Sequence, residues 1–200
     1  MYFFFHLIYN NFVKIYGGVV LNKLISEEIK YDGPRFNVIQ KQYQREDGLV
    51  FKRDCVEPGD AVVIIAVDEN DDVFFIEQYR ETIENVALEL PAGMIEKGED
   101  PREAARRELE EETGIKAKQI ELLTSVYSSA GYTAEKLYVY FAKDLEYGKQ
   151  HLDETEEILN IKKIPLEECV ELIVNNEIEH ASVVIAVMTY YYKCYNGGKK

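Results

Sequence analysis

The chain has 200 residues, 46% of them hydrophobic, and a formal charge of −14 from 23 Lys and Arg against 37 Asp and Glu. That length fits one domain with an appendage, or a single large α+β unit. The acidic balance excludes nonspecific binding to nucleic acid, which needs clustered Lys and Arg to meet phosphates.

The apolar run Tyr2-Phe3-Phe4-Phe5-His6-Leu7-Ile8-Tyr9 is too short to cross a membrane. It lacks the basic leading segment and small-residue cleavage site of a signal peptide. Residues 1–16 are therefore expected to be a disordered or weakly packed apolar extension, with Gly17-Gly18 as a hinge and no membrane partner. Residues 17–58 are expected to form a small β leader. Asp32-Gly33-Pro34 marks a turn, Arg35 to Gln44 reads as a strand, Glu46-Asp47-Gly48 as a hairpin turn, and Leu49 to Cys55 as the returning strand. Glu57-Pro58-Gly59-Asp60 breaks the chain again, and residues 59–200 form the main domain. Ala61 to Val67 is continuously apolar, as expected of a strand buried on both faces. Val73 to Tyr79 and Val86 to Leu90 follow as strands.

The densest signal lies at 93–115, where seven glutamates fall in 23 residues. Asp100-Pro101 with Glu103 reads as a helix start, with Asp as the cap, Pro in the first position and Glu103 closing a capping box. Gly114 reads as the stop, because glycine accepts the left-handed conformation. Between them Glu108, Glu111 and Glu112 share one helix face. Like charges at that spacing repel by a few tenths of a kcal/mol, about 0.2–0.5 per pair. A divalent cation would reverse the sign, and hard carboxylate oxygens select Mg²⁺ or Mn²⁺. A solvated acidic face is the plain alternative.

Beyond the helix, Glu121 to Ser128, Lys136 to Ala142 and Ile158 to Ile164 read as strands. Helices are expected from Pro165 to Val174 and from Ala181 to Tyr192. Strands and helices alternate without a regular βα repeat, which argues for an α+β or α/β/α sandwich and against a Rossmann fold. Cys55, Cys169 and Cys194 form no Cys-x-x-Cys pair and read as reduced thiols of a cytoplasmic protein. His6, His151 and His180 have no ligand spacing, which argues against structural zinc.

Gly93, Glu99, Arg107-Glu108-Leu109, Glu111-Glu112 and Gly114-Ile115, at these spacings, resemble the Nudix box at every defining position. The resemblance implies a Nudix-type α/β/α sandwich with a mixed sheet, behind an N-terminal antiparallel β leader. It also implies a hydrolase acting on nucleoside diphosphates linked to another group, with Mg²⁺ or Mn²⁺ as cofactor. On this resemblance Glu108, Glu112 and the Ala92 carbonyl are metal ligands, and Glu111 joins the catalytic set. Gly93, Glu99, Arg107 and Gly114 shape the box, with Arg107 bracing Glu111 or Glu99. Leu109 and Ala105 are expected to face the core.

The layout around the box is similar to that of the ADP-ribose pyrophosphatases: Glu77-Gln78-Tyr79-Arg80, Glu89-Leu90-Pro91-Ala92-Gly93, the leader, and the acidic loop Asp153-Glu154-Thr155-Glu156-Glu157. That subgroup implies Glu154 as general base and Glu156 as a further metal ligand. The expected products from ADP-ribose are AMP and ribose 5-phosphate. Arg80 reads either as a phosphate or ribose contact or as an ion-pair partner of Glu84 or Glu89. Glu89 is a candidate for a ribose hydroxyl. Phe36, Tyr43 and Phe51 are candidates to stack on adenine, and the leader is expected to build a homodimer. The Pro-Gly pair usual in the subgroup after the box reads Ala130-Gly131 here. Other nucleoside diphosphate sugars, such as GDP-mannose or UDP-glucose, and a non-catalytic nucleotide sensor are the alternatives.

Overall fold

The computed structural model of the chain describes residues 15–16, 19–20, 22–152 and 157–195. In chain order its first strands are β1 (Ile15–Tyr16), β2 (Val19–Val20), β3 (Lys23–Asp32), β4 (Asn37–Gln44) and β5 (Val50–Glu57). Then come β6 (Ala61–Ala66), β7 (Asp72–Arg80), β8 (Asn85–Glu89), β9 (Ala92–Met94), helix α1 (Pro101–Thr113), β10 (Ile115–Tyr127), β11 (Lys136–Tyr147) and β12 (Ile158–Pro165). Helices α2 (Leu166–Val174) and α3 (Ala181–Tyr190) and a π-helical turn at Tyr191–Tyr195 follow. The chain divides into two units. One takes the residues up to Pro58 together with Ser129–Ala134, and the other takes Gly59–Ser128 and the residues from Glu135 on.

The first unit is an antiparallel sheet in the order β3-β4-β5, with β1 and β2 pairing separately. Of the extension, only Ile15–Tyr16 lie within the described residues. The sheet has one strand more than the sequence suggests. β3 is hard to read because two register shifts, between Leu24 and Ser26 and between Ile29 and Tyr31, break its alternation. The segment Ser129–Ala134 joins this unit because the Val56 N–H donates to the Tyr132 carbonyl at 2.8 Å, with a parallel bridge from Val56 to Thr133.

The second unit is the α/β/α sandwich. One sheet runs β10-β11-β6-β9, parallel between β11 and β6 and antiparallel elsewhere. The other runs β12-β7-β8, all antiparallel. The wholly apolar β6 explains the layering. Val62, Ile64 and Ala66 pack with Ala104, Ala105 and Leu109 of α1, whereas Val63, Ile65 and Val67 pack with Val183, Ala186, Val187 and Tyr190 of α3. A strand buried on both faces cannot alternate apolar with polar residues, and this one does not. Both Ala105 and Leu109 are in the core, at 0% and 1% exposure.

Several boundaries differ from the sequence reading. β10 starts directly after Gly114, and β11 runs five residues past Ala142. The alternation Ile115-Lys116-Ala117-Lys118 was legible but sits inside and just after the helix-stop motif. β9 is only three residues long and contains a glycine, which weakens any strand signal. α3 gives way to the π-helical turn after Tyr190, so Tyr191 and Tyr192 lie beyond it. Among the described residues no helix is long and apolar enough to cross a membrane.

Helix α1 starts where its cap dictates. Asp100 is extended (φ −72°, ψ 131°), and its Oδ1 accepts the Arg102 N–H at 2.9 Å, with Pro101 next. The capping box is not closed: the Glu103 carboxylate lies 3.8 Å from Arg106 Nε instead. Asp100→Ala should therefore cost about 1 kcal/mol, the usual worth of a side-chain cap. Leu109→Ala should cost about 2–5 kcal/mol as a buried Leu truncation. Urea denaturation of both variants measures the difference, and the cap should be the smaller effect.

Candidate active site

Strand β9 and helix α1 bring the box together. Gly93 sits in β9 directly against Glu108. A Cβ on Gly93 would lie 2.1 Å from the Glu108 carboxyl carbon and from its Oε1, so any side chain there would have to displace that carboxylate. Next to it, the Ala92 N–H donates to Glu112 Oε2 at 2.9 Å. Glu108 and Glu112 are 5% and 3% exposed. Ionised carboxylates are rarely so buried unless they are paired.

Glu112 has the Ala92 N–H, and Glu108 has Arg107. Its Nε donates to Glu99 Oε1 at 2.9 Å and its Nη2 to Glu99 Oε2 at 3.0 Å, a two-pronged grip. Its Nη1 donates to Glu108 Oε1 at 2.6 Å and to Glu111 Oε2 at 3.0 Å, and Nη2 also reaches the Met94 carbonyl at 3.1 Å. The rigid fork of a guanidinium suits such multiple recognition. Hydrogen bonding to Arg107 holds the Glu99 carboxyl below its usual range. Donation to Glu99, more than offsetting partial burial, raises the Arg107 pKa further. Glu99 closes the loop before α1 by accepting the Glu96 N–H at 2.9 Å. One guanidinium thus ties Glu99, Glu108 and Glu111 to the backbone of β9.

The carboxylates around Arg107 outnumber it, which leaves local negative charge beside Gly93. The donors are hard oxygens, and two of them, Glu108 and Glu112, are buried beside Ala92–Gly93. Their chemistry fits Mg²⁺ or Mn²⁺, with Gly93 leaving the Glu108 carboxylate room against the backbone. In this arrangement the carboxylates still engage protein partners. Among the described residues no three acidic, His or Cys side chains already converge as a ready ligand set. Glu154 and Glu156, the expected base and further ligand, lie outside the described residues.

Arg80 and Glu89 are brought together. Arg80 Nε and Nη2 donate to the two Glu89 oxygens at 2.7 Å each, and Glu89 is 5% exposed. Of the readings left open for Arg80, the ion pair with Glu89 is the one formed. Its hydrogen bond with Glu89 raises the Arg80 pKa despite burial, and Glu112 adds a smaller favourable charge. Sequence reasoning passed over His180, whose Nε2 lies 3.7 Å from Glu89 Oε1. It also passed over Gln150, whose amide donates to the Glu112 carbonyl at 2.6 Å. Neither sits in a spaced motif, and only the fold brings them to the box.

In the first unit, Phe51 stacks on Tyr43 with centroids 5.8 Å apart, and the Arg53 guanidinium lies 4.7 Å from the Phe51 centroid. These residues line a cavity of about 530 Å³ with Lys41, Tyr132 and Ala130. Phe36 does not line it. It is exposed and packs obliquely on Tyr31 at 6.0 Å.

Comparison with known proteins agrees with this geometry. Residues 57–186 match the NUDIX domain. An ADP-ribose pyrophosphatase of Bacillus subtilis (strain 168) is 32% identical over 167 residues, spanning 82% of this chain and 90% of that protein. A methanol dehydrogenase activator of Bacillus methanolicus is 35% identical over 173 residues, spanning 86% and 93%. The crystal structure of an ADP compounds hydrolase superposes with a TM-score of 0.78 at 23% identity, covering 90% of this chain and 97% of that one, a likeness of fold. A box glycine packed on a buried glutamate, an arginine-braced acidic helix and a match over most of the chain lead to one conclusion: the protein belongs to the NUDIX domain family and is a Nudix hydrolase.

Proposed function

We propose that the protein is a divalent-metal-dependent pyrophosphohydrolase that converts ADP-ribose and water to AMP and ribose 5-phosphate. The observation that carries the reading is the pair of buried carboxylates, Glu108 and Glu112, set against Ala92–Gly93. The ADP-ribose pyrophosphatases of Bacillus subtilis and Mycobacterium tuberculosis, similar over most of this chain, support the choice of substrate.

Glu108, Glu112, Glu156 and the Ala92 carbonyl would hold the cation, with Mg²⁺ first and Mn²⁺ as a substitute. A cation there would supply charge to offset the diphosphate and to make a water more acidic. Glu154 takes the proton of the attacking water. The new P–O bond forms as the P–O–P bridge breaks, and the bridging oxygen leaves with the other phosphate. Glu111, at the edge of the Arg107 network, completes the catalytic carboxylates. Arg80 turns from Glu89 toward the phosphates, which a guanidinium recognises in a two-pronged way. Glu89 then accepts from a ribose hydroxyl. Phe51 offers a face to adenine.

The first unit supports assembly as a homodimer. Leu24, Ile25, Ile29 and Tyr31 of β3 are each 46–57% exposed, and among the described residues β3 pairs on one side only. An open, apolar edge invites a second chain. A cytoplasmic location suits three unbridged cysteines. Other nucleoside diphosphate sugars are a second reading, because Ala130, standing where the subgroup usually has proline, lines the aromatic cavity.

Four outcomes are expected. A panel of ADP-ribose, GDP-mannose, UDP-glucose, NADH and diadenosine polyphosphates with Mg²⁺ or Mn²⁺ should give the highest kcat/KM for ADP-ribose. A higher value for another sugar nucleotide would move the assignment to it. Glu112→Gln should lower kcat by about 10²-fold or more at saturating Mg²⁺, and turnover near wild type would remove Glu112 from the site. Glu154→Gln should lower kcat by about 10²- to 10⁴-fold with KM little changed. A crippled Glu156→Gln beside a normal Glu154→Gln would exchange the two roles. Sedimentation should give a dimer for the wild type and a monomer for Ile29→Lys, whereas a monomeric wild type would end the dimer reading.

A further inference from the structure

Helix α1 ends in an electrostatically poor way. Glu110, Glu111 and Glu112 crowd its C-terminal turn, and no basic residue lies in that turn. The C-terminal end of a helix already carries partial negative charge, and its last carbonyls lack partners within the helix. A lysine or arginine placed there would meet both needs. It would also compete with a cation for the same carboxylates.

Lys116, just past the helix, pairs with Glu110 at 2.9 Å, and the last carbonyls are met by neutral donors brought from elsewhere. The segment leaving β11 crosses the helix end. The Gly148 N–H donates to the Gly114 carbonyl at 2.8 Å and the His151 N–H to the Glu111 carbonyl at 2.9 Å. The Gln150 side-chain amide donates to the Glu112 carbonyl at 2.6 Å. The crossing is tight: a Cβ on Gly114 would lie 2.8 Å from the Lys149 carbonyl carbon and 2.9 Å from the Gln150 nitrogen. Gly114 also has φ +73°. The last glycine of the box is therefore required twice, for its left-handed backbone and for the chain that passes over it.

Glu112 is consequently held at two points. Its carboxylate accepts from the Ala92 N–H, and its carbonyl accepts from Gln150. We propose that Gln150 is a positioning residue: through the Glu112 backbone it fixes the direction in which the Glu112 carboxylate presents itself to a divalent cation. It does this without bringing a charge. The inference rests on the metal-site reading of Glu108 and Glu112. Groups that hold a metal ligand without touching the ion typically change affinity or activity by about 10–100-fold when lost.

The test uses the full chain and Mn²⁺ as the probe. Gln150→Met keeps length and removes the donor. Its Kd for Mn²⁺, read from the free-ion electron paramagnetic resonance signal, should rise about 10-fold. Its kcat should fall by a similar factor while KM for ADP-ribose stays within about twofold, the split expected when only the aim of the Glu112 carboxylate is lost. Mn²⁺ affinity and kcat both within twofold of wild type would overturn the proposal. Glu112→Gln is measured alongside. If it too binds Mn²⁺ like wild type, the metal-site reading has failed. If it loses Mn²⁺ while Gln150→Met does not, only the brace has failed. Should Gln150→Met melt early, Gln150→Asn, which keeps the amide but withdraws it by one methylene, is judged by the same two quantities.

Discussion

The Arg107 guanidinium is the interaction on which the site depends. Two unit charges 4 Å apart repel by about 4 kcal/mol at an effective dielectric of 20, so a cation among ionised carboxylates on one helix offsets a large cost. Arg107 answers Glu99, Glu108 and Glu111 at once and anchors itself to the Met94 carbonyl. Because it cannot lose its proton, it serves at any ordinary pH. It does not neutralise the whole cluster, and the negative charge that remains is what the proposed cation would meet. One arginine therefore both braces the helix and leaves that charge in place.

The sandwich gives this cluster its rigidity. α1 is pinned at its start by Asp100, along its length by Ala104, Ala105 and Leu109 against β6, and at Gly93 by contact with Glu108. The small residues on its inner face let the helix approach the sheet closely, which brings Glu108 and Glu112 inside rather than onto the surface. Burial makes each carboxylate costly when unpaired and correspondingly strong when paired.

How much of this was legible follows from where each signal lies in the chain. The cap, the stop, the apolar strand Ala61–Ala66 and the box itself are local patterns, and they appear in the fold where the sequence places them. The NUDIX domain match and the sandwich agree with the resemblance drawn from the box. What was hidden is nonlocal or irregular. β3 escaped because its two register shifts scramble a two-residue period. The pairing of Ser129–Ala134 with the leader could not be read from either segment alone. His180 reaches Glu89 only because α3 begins beside β8, and Gln150 reaches Glu112 across 38 residues of sequence. Arg80 carried two compatible meanings, and a bond to Glu89 at 2.7 Å is a fact of packing, not of spacing.

The crossing of the chain over Gly114 bears on the order of assembly. The first turns of α1 need only neighbours: Asp100, Pro101 and the Glu99–Arg107 contact lie within a few residues of one another. Its final turn needs Gly148, Gln150 and His151, which arrive only after β10 and β11 have paired along their length. Long loops must close before such contacts can contribute, and that closure is slow relative to helix formation. The two ends of the helix therefore depend on different parts of the chain. Its capped end is held by contacts close in sequence, and the end carrying Glu111 and Glu112 by a segment that the β10–β11 hairpin brings back. A chain interrupted before residue 148 would hold the whole box motif and still leave the carbonyls of its last turn without their partners.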